Sequence, residues 1–188
     1  RIAAFKLGGT GSPGVVVLDT SGALRETDWT SGWSAWKPVP APPPGAARDI
    51  DAAADKAGVN VLYAVSTSRG GHLWRLRRSS GAAGAPWQAS WEHVISSDPN
   101  TFQRVTAIRH QFDGRNQAWA LGTTGVIRTV KERSGGGWST VSSVAGPFSR
   151  AGGKVVDIDA GWNSQQRALL VALMSDGLVW YRAANTTS

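Results

Sequence analysis

The chain has 188 residues, about the size of one domain, and its low charged fraction (18%) with 23 Gly and 10 Trp excludes a coiled coil or a charged disordered tail. Lys and Arg total 20 against 13 acids, giving +7 with Arg in the majority, so the surface is basic and nucleic acid is a partner to be weighed. There is no Cys, which removes disulfides, thiolate chemistry and Cys-ligated metals, and no apolar stretch approaches the ~20 residues of a membrane-spanning helix, so membrane insertion is not expected.

In chain order, RIAAFKLG (1–8) reads as a strand, VVVLDTSGALRETDW (15–29) as a hairpin turning at Gly22, and GWSAWKPV (32–39) as a further strand. The pattern returns as ARDIDAAA (47–54), VLYAVSTSRGGHLWRLRR (61–78) around Gly71, and PWQASWEHV (86–94). A third copy is RVTAIRHQ (104–111), QAWALGTTGVIRTVKE (117–132) around Gly125, and GWSTVSSV (137–144). The fourth, VVDIDAGW (155–162) and LLVALMSDGLVWYR (169–182) around Gly177, is not followed by a Gly-Trp strand. Steps between the turn glycines are 49, 54 and 52 residues. Short apolar runs rich in Val, Leu, Ile and Trp and bounded by Gly, Ser, Asp and Pro favour strands. The best helical competitor, PGAARDIDAAADKA at 44–57, is Ala-rich, but its DID tripeptide recurs in register at 157–159, so strand and loop are expected there.

A four-stranded unit of this length cannot bury both of its faces alone, and several must pack radially around an axis. The expected fold is all-β, a β-propeller of about four four-stranded blades in a single domain, residues 1–188. The blades fall at about 1–45, 46–100, 101–151 and 152–188. The last is incomplete: either it has three strands or the chain is a fragment of a larger ring. Its unpaired edge would suit a protein subunit that completes it.

Hairpins ending DG-L-V-W or GG-H-L-W, followed by Gly-Trp-Ser-x-Trp, resemble the blades of tectonin-type and related bacterial sugar-binding β-propeller lectins. The resemblance implies shallow sugar sites between neighbouring blades, built from Trp faces and nearby polar groups. On that basis the candidate carbohydrate-binding residues are Trp33, Trp36, Trp74, Trp87, Trp91, Trp138 and Trp180. Arg25 and Arg128 join them because they replace the aromatic of Trp74 and Trp180 in the first and third blades. The third blade has Val141 where the others have Trp36 and Trp91, and reads as a degraded platform. The physical case is that a pyranose offers C–H groups on one face, which a Trp ring buries, and hydroxyls at its rim for polar side chains. Against it, repeated Trp also packs blade against blade. Trp119, in mid-strand, reads as core.

Asp49, Asp51, Asp157 and Asp159 form two DID pairs whose carboxylates share a strand face, a spacing a glycosidase could use, although structural pairing is the commoner role. The chain is therefore expected not to be an enzyme. His72, His93 and His110 have no second ligand at metal spacing, and no cofactor motif appears. RLRR at 75–78 is diluted by strand alternation, with Arg75 and Arg77 on one face and Arg78 on the other, so nucleic acid is disfavoured against an anionic or neutral glycan. The reading is a noncatalytic, multivalent lectin recognising cell-surface glycans, secreted, and serving as the targeting module of an assembly or toxin. The alternative is a docking propeller that binds another subunit and no sugar.

Overall fold

The computed structural model describes residues 1–6, 13–42, 45–67, 71–82, 84–95, 101–144 and 153–183. These residues contain strands and no helix, arranged as four antiparallel sheets. Blade 1 is β1 (Ile2–Lys6), β2 (Pro13–Leu18), β3 (Leu24–Asp28) and β4 (Lys37–Val39). Blade 2 is β5 (Ala47–Ala54), β6 (Asn60–Ser66), β7 (Leu73–Arg77) and β8 (Glu92–Ile95). Blade 3 is β9 (Phe102–Arg109), β10 (Asn116–Gly122), β11 (Ile127–Lys131) and the two-residue β12 (Ser142–Ser143). Blade 4 has three strands among the described residues, β13 (Val155–Trp162), β14 (Ala168–Met174) and β15 (Val179–Ala183). Within the Ala-rich segment, Ala47–Ala54 is strand β5 and residues 55–58 form a turn, with no helix among its described residues, as the recurring DID suggested.

Strand order follows chain order in every sheet, and the innermost strands β1, β5, β9 and β13 stand side by side. A blade is apolar on both faces, so the core divides into three layers, each between neighbours. Phe5, Val16 and Leu24 of blade 1 meet Leu62, Trp74, Leu76 and Trp91 of blade 2. Tyr63, Val65 and Leu73 of blade 2 meet Phe102, Val105 and Ala118 of blade 3. Trp119 and Leu121 of blade 3 meet Ile158, Leu170 and Met174 of blade 4. Strand alternation sorts neighbours to opposite layers: on β7, Leu73 faces blade 3 while Trp74 and Leu76 face blade 1.

The turn glycines are set by two demands at once. Gly22 and Gly71 have φ of 83° and 69°, a region costly for a side chain. Each also lies under the first strand of the following blade. A Cβ on Gly71 would stand 2.5 Å from the Phe102 carbonyl oxygen, and one on Gly22 would stand 2.3 Å from the Ala46 methyl. Gly177, at the same turn of blade 4, has φ 84° but open space around it.

At the axis, strand pairing puts Arg1, Asp49, Arg104 and Asp157 at one level, since they lie opposite Leu18, Val65, Leu121 and Leu173. Their charges alternate from blade to blade. Arg1 pairs with Asp49 at 2.8 Å and with Asp157 at 3.0 Å, and Arg104 reaches Asp157 at 3.3 Å.

Candidate functional site

The expected outer strands at 32–39, 86–94 and 137–144 are shorter than the sequence suggested, leaving Trp33, Trp87 and Trp138 in isolated bridges outside them, and this bridged segment joins blade 2 to blade 1 and blade 3 to blade 2. Arg78 and Trp87 form a bridge at the edge of blade 2 and dock together on blade 1. The Arg78 guanidinium, fully buried, bonds Glu26 at 2.6 Å, Asp28 at 2.9 Å and the Ala85 carbonyl at 2.9 Å. It lies 5.3 Å from the Phe5 ring and 4.8 Å from that of Trp87, whose Nε1 donates to Glu26 at 2.7 Å. Trp91 is buried in the same layer and donates to the Pro40 carbonyl of blade 1. Between blades 2 and 3 the polarity is reversed. Arg75 on β7 now bonds Glu132 at 2.8 Å, while Trp138, bridged to Glu132, sits 4.9 Å below the guanidinium and meets Tyr63 edge-on.

These contacts correct the expected sugar platform. Trp74 and Trp91 are 6% and 8% exposed and belong to the core: strand alternation on β7 points Trp74 into the layer against blade 1, and the segment just before β8 brings Trp91 there. Trp87, Trp138 and Trp180 are half-buried against the first, second and third layers, and the Arg78 and Arg75 guanidiniums lie over the rings of Trp87 and Trp138. Trp119 is core, as expected. Arg128 is half-buried and donates to Ser143 of its own sheet. Of the candidates, Trp33, Trp36 and Arg25 are exposed, the two rings by about half (52% and 51%). They lie on the flank of blade 1 turned away from blade 2, where Trp29 packs edge-on against Trp33.

The DID pairs are structural too. Asp49 accepts from the Val105 amide at 2.9 Å, and Asp51 from the Ala107 amide at 2.7 Å and the Thr106 hydroxyl at 3.0 Å, stapling β5 to β9. Burial pushes Asp51 up to about 6 against these donors. Asp49 is also raised by burial, opposed by the Val105 amide and then Arg1, and Glu26 is raised by burial, opposed by Arg78. The four carboxylates line an axial cavity of about 420 Å³. His72 and His93 lie 5.5 Å apart, with His93 stacked on Trp74, and no metal-ligand trio exists among the described residues.

A different surface offers free chemistry. At the opposite end of the inner strands, a cleft of about 420 Å³ has an alanine and isoleucine floor (Ala52, Ala53, Ala107 and Ile108) with Trp162, Arg109 and Gln111 at its rim. Through Arg109 and Gln111 it continues into a groove of about 750 Å³ between blades 2 and 3. There the 110–115 turn presents Phe112, 72% exposed. The groove's acids are occupied: Asp55 by Arg77, Asp113 by Arg115 at 2.6 Å and Lys131 at 2.8 Å, Glu132 by Arg75. Burial raises Asp113, but the Lys131 ammonium and the Arg115 amide and guanidinium outweigh it and hold it well below the usual carboxylate range. Lys56, Arg109 and Arg133 are left without a carboxylate partner among the described residues. Sequence reasoning passed over this site because its members come from three turns (Lys56, Phe112 and Arg133) and two strand ends (Arg109 and Trp162) outside the Gly-Trp repeat. The one available signal was an aromatic at a hairpin tip, in HQFDGRNQ.

The arrangement is a β-propeller, and its fold is the one that sugar-binding propeller lectins use. AofleA from Arthrobotrys oligospora superposes with a TM-score of 0.67 at 13% identity, over 99% of this chain and 53% of its own. The fucose-specific lectin from Aleuria aurantia gives 0.68 at 16% identity over 100% of this chain and 59% of its own. NanB sialidase from Streptococcus pneumoniae gives 0.67 at 13% identity over 97% and 30%. The chain thus spans about half the length of the first of these structures. No family model matches the sequence, and no curated protein matches it.

Proposed function

We propose that the chain binds carbohydrate without catalysis, and that its ligands are acidic glycans held in the groove between blades 2 and 3 and the adjoining Trp162 cleft. One observation carries this reading: Phe112, 72% exposed, and the half-buried Trp162 at the adjoining rim offer apolar ring surface near Lys56, Arg109 and Arg133, cations without a carboxylate partner among the described residues. Rings cover the C–H face of a sugar while guanidinium forks bond a carboxylate or sulfate in two places. The lectin and sialidase structures of the same fold support sugars as the ligand class. The axial Asp residues support the noncatalytic part, since amides and guanidiniums hold them as structural acceptors. In this reading the chain acts outside the cell, as the surface-targeting part of a larger assembly.

The test is a glycan array at physiological and several-fold higher salt with the wild type, Phe112→Ala and Arg109→Gln/Arg133→Gln. Acidic glycans should bind, weaken at high salt without vanishing, and fall at least ten-fold in both variants at unchanged melting temperature. Trp33→Ala should bind normally. An array on which nothing binds, or binding that ignores Arg109 and Arg133, would end the proposal.

A further inference from the structure

The two rings of the proposed glycan site, Phe112 in the groove and Trp162 at the cleft rim, are supported by one residue. β9 ends at Arg109, and the next residue, His110, roots the 110–115 turn that carries Phe112. Its amide donates to the Arg115 carbonyl and its carbonyl accepts from the Gly114 amide, both at 2.8 Å. Alternation at the strand end sends Arg109 to the groove between blades 2 and 3, and sends the half-buried His110 ring the other way, to the side on which Ile108 packs against blade 4. There it meets Trp162 edge-on, with ring centroids 5.7 Å apart.

A chain of hydrogen bonds fixes the ring's tautomer. Thr129 gives its single hydroxyl proton to the Ala118 carbonyl at 3.1 Å, so its oxygen can only accept, and the Gln117 amide nitrogen donates to it at 3.0 Å. The Gln117 carbonyl oxygen is then the atom that faces His110 Nε2 at 2.6 Å, and Nε2 carries a hydrogen. Neutral His110 thus keeps its lone pair on Nδ1, and a second proton enters there. The charged groups about the ring are Lys131 of β11 and Asp113 and Arg115 of the turn. Burial holds its pKa below the usual histidine value against the Gln117 bond; Lys131 and Arg115 add to the lowering and Asp113 opposes it. Asp113 is already shared between Arg115 and Lys131. One place for a further anion lies beside His110. Arg109 has no carboxylate partner among the described residues, and its Nε is buried without a hydrogen-bond partner. A carboxylate or sulfate on that Nε edge would satisfy it, and would set a negative charge on the residue next to His110.

We infer, building on the glycan reading above, that His110 is a positioning residue of this site and couples it to pH: an acidic glycan that bonds Arg109 also draws a proton onto His110 Nδ1. The bound anion favours the charged imidazole, so the His110 pKa is higher in the complex than in the free chain. A proton is therefore taken up on binding, and affinity rises as pH falls. A rise of about half a unit makes binding about three-fold tighter once the pH lies below both values. Protonation on Nδ1 leaves the Nε2–H bond to Gln117 intact, so the ring keeps its place against Trp162 as it charges.

Titration calorimetry with a sulfated oligosaccharide, whose charge is constant from pH 5 to 8, tests this in two buffers of unlike ionisation heat, which count the proton directly. The proteins are wild type, His110→Gln, which keeps a donor for the Gln117 oxygen, and Arg109→Gln/Arg133→Gln. The wild type should bind about three-fold or more tightly at pH 5 than at pH 7.5, and take up part of a proton at pH 6. His110→Gln should bind with an affinity that does not vary over this range and take up no proton, although Asp51 and both other histidines are unchanged in it. Wild-type binding that requires Arg109 and Arg133 but is flat with pH, or a pH dependence and proton uptake that survive in His110→Gln, would overturn the coupling and leave the glycan site standing. Binding that is absent, or indifferent to both arginines, would overturn the glycan reading and the coupling with it.

Discussion

Replacing Arg78 by Met tests whether the blade 1–blade 2 joint is held by charge. Methionine nearly matches the length of the arginine stem, so lost volume is a minor part of the effect. What changes is that Glu26 and Asp28, 6% and 3% exposed, lose the guanidinium they share, and that the Phe5 and Trp87 rings lose the cation against them. Removing one partner of a buried ion pair costs about 3–5 kcal/mol because a charge is left uncompensated, and a desolvated cation–π contact adds up to about 2 kcal/mol. Urea unfolding of Arg78→Met at pH 7 should therefore show a loss of at least about 3 kcal/mol. The loss should shrink as pH falls. Burial already raises the Glu26 pKa and Arg78 opposes it; without Arg78 the folded-state pKa rises further, and a carboxylate whose folded pKa lies above its unfolded value favours the folded state below it and penalises it above. The triple variant Arg78→Met/Glu26→Gln/Asp28→Asn, with no charge left to strand, should recover most of the deficit. A loss under about 1 kcal/mol at pH 7, or a triple variant no better than the single, would refute the argument that charge compensation and not packing holds this joint.

Asp51, pushed up to about 6 in the folded chain against 3.8 unfolded, should make the wild type lose about 2 kcal/mol as pH rises from 4 to 7, a slope that denaturant melts of Asp51→Asn should lack. Trp74→Ala and Trp138→Ala should each destabilise by about 3–5 kcal/mol in the same melts, with glycan affinity unchanged wherever the variants are still folded. Gly71→Ala should cost about 1–3 kcal/mol more than Gly177→Ala, since both share positive φ but only Gly71 lies against the backbone of the next blade; equal costs would remove the role of turn glycines in joining blades.

The architecture was legible because each blade must satisfy the same local demands. Period-two apolar runs, a glycine with positive φ and a Gly-Trp strand recur at nearly constant spacing, and constant spacing of strand signals is a fold statement. The role of the tryptophans was not legible. Composition puts Trp at sugar sites and at inter-blade joints alike, and the difference between Trp33 and Trp87 is only whether a preceding blade covers it. That is a long-range fact: Trp87 meets Phe5 and Glu26, residues far upstream. Strand alternation already set Arg75 and Arg78 on opposite faces in the sequence; the carboxylates each one meets, Glu132 of blade 3 and Glu26 and Asp28 of blade 1, are long-range facts it did not carry.

Those joints also show why the chain alternates. Arg1 and Arg104 alternate with Asp49 and Asp157 at the axis, and Arg25 and Arg128 alternate with Trp74 and Trp180 on the third strands. A ring in which every blade carried the same charge at the axis would place like charges side by side around one cavity, which is unfavourable. Alternation turns that repulsion into pairs and makes the unit of the repeat two blades. It also fixes register, because a blade placed out of sequence would set Arg against Arg or Asp against Asp at the axis.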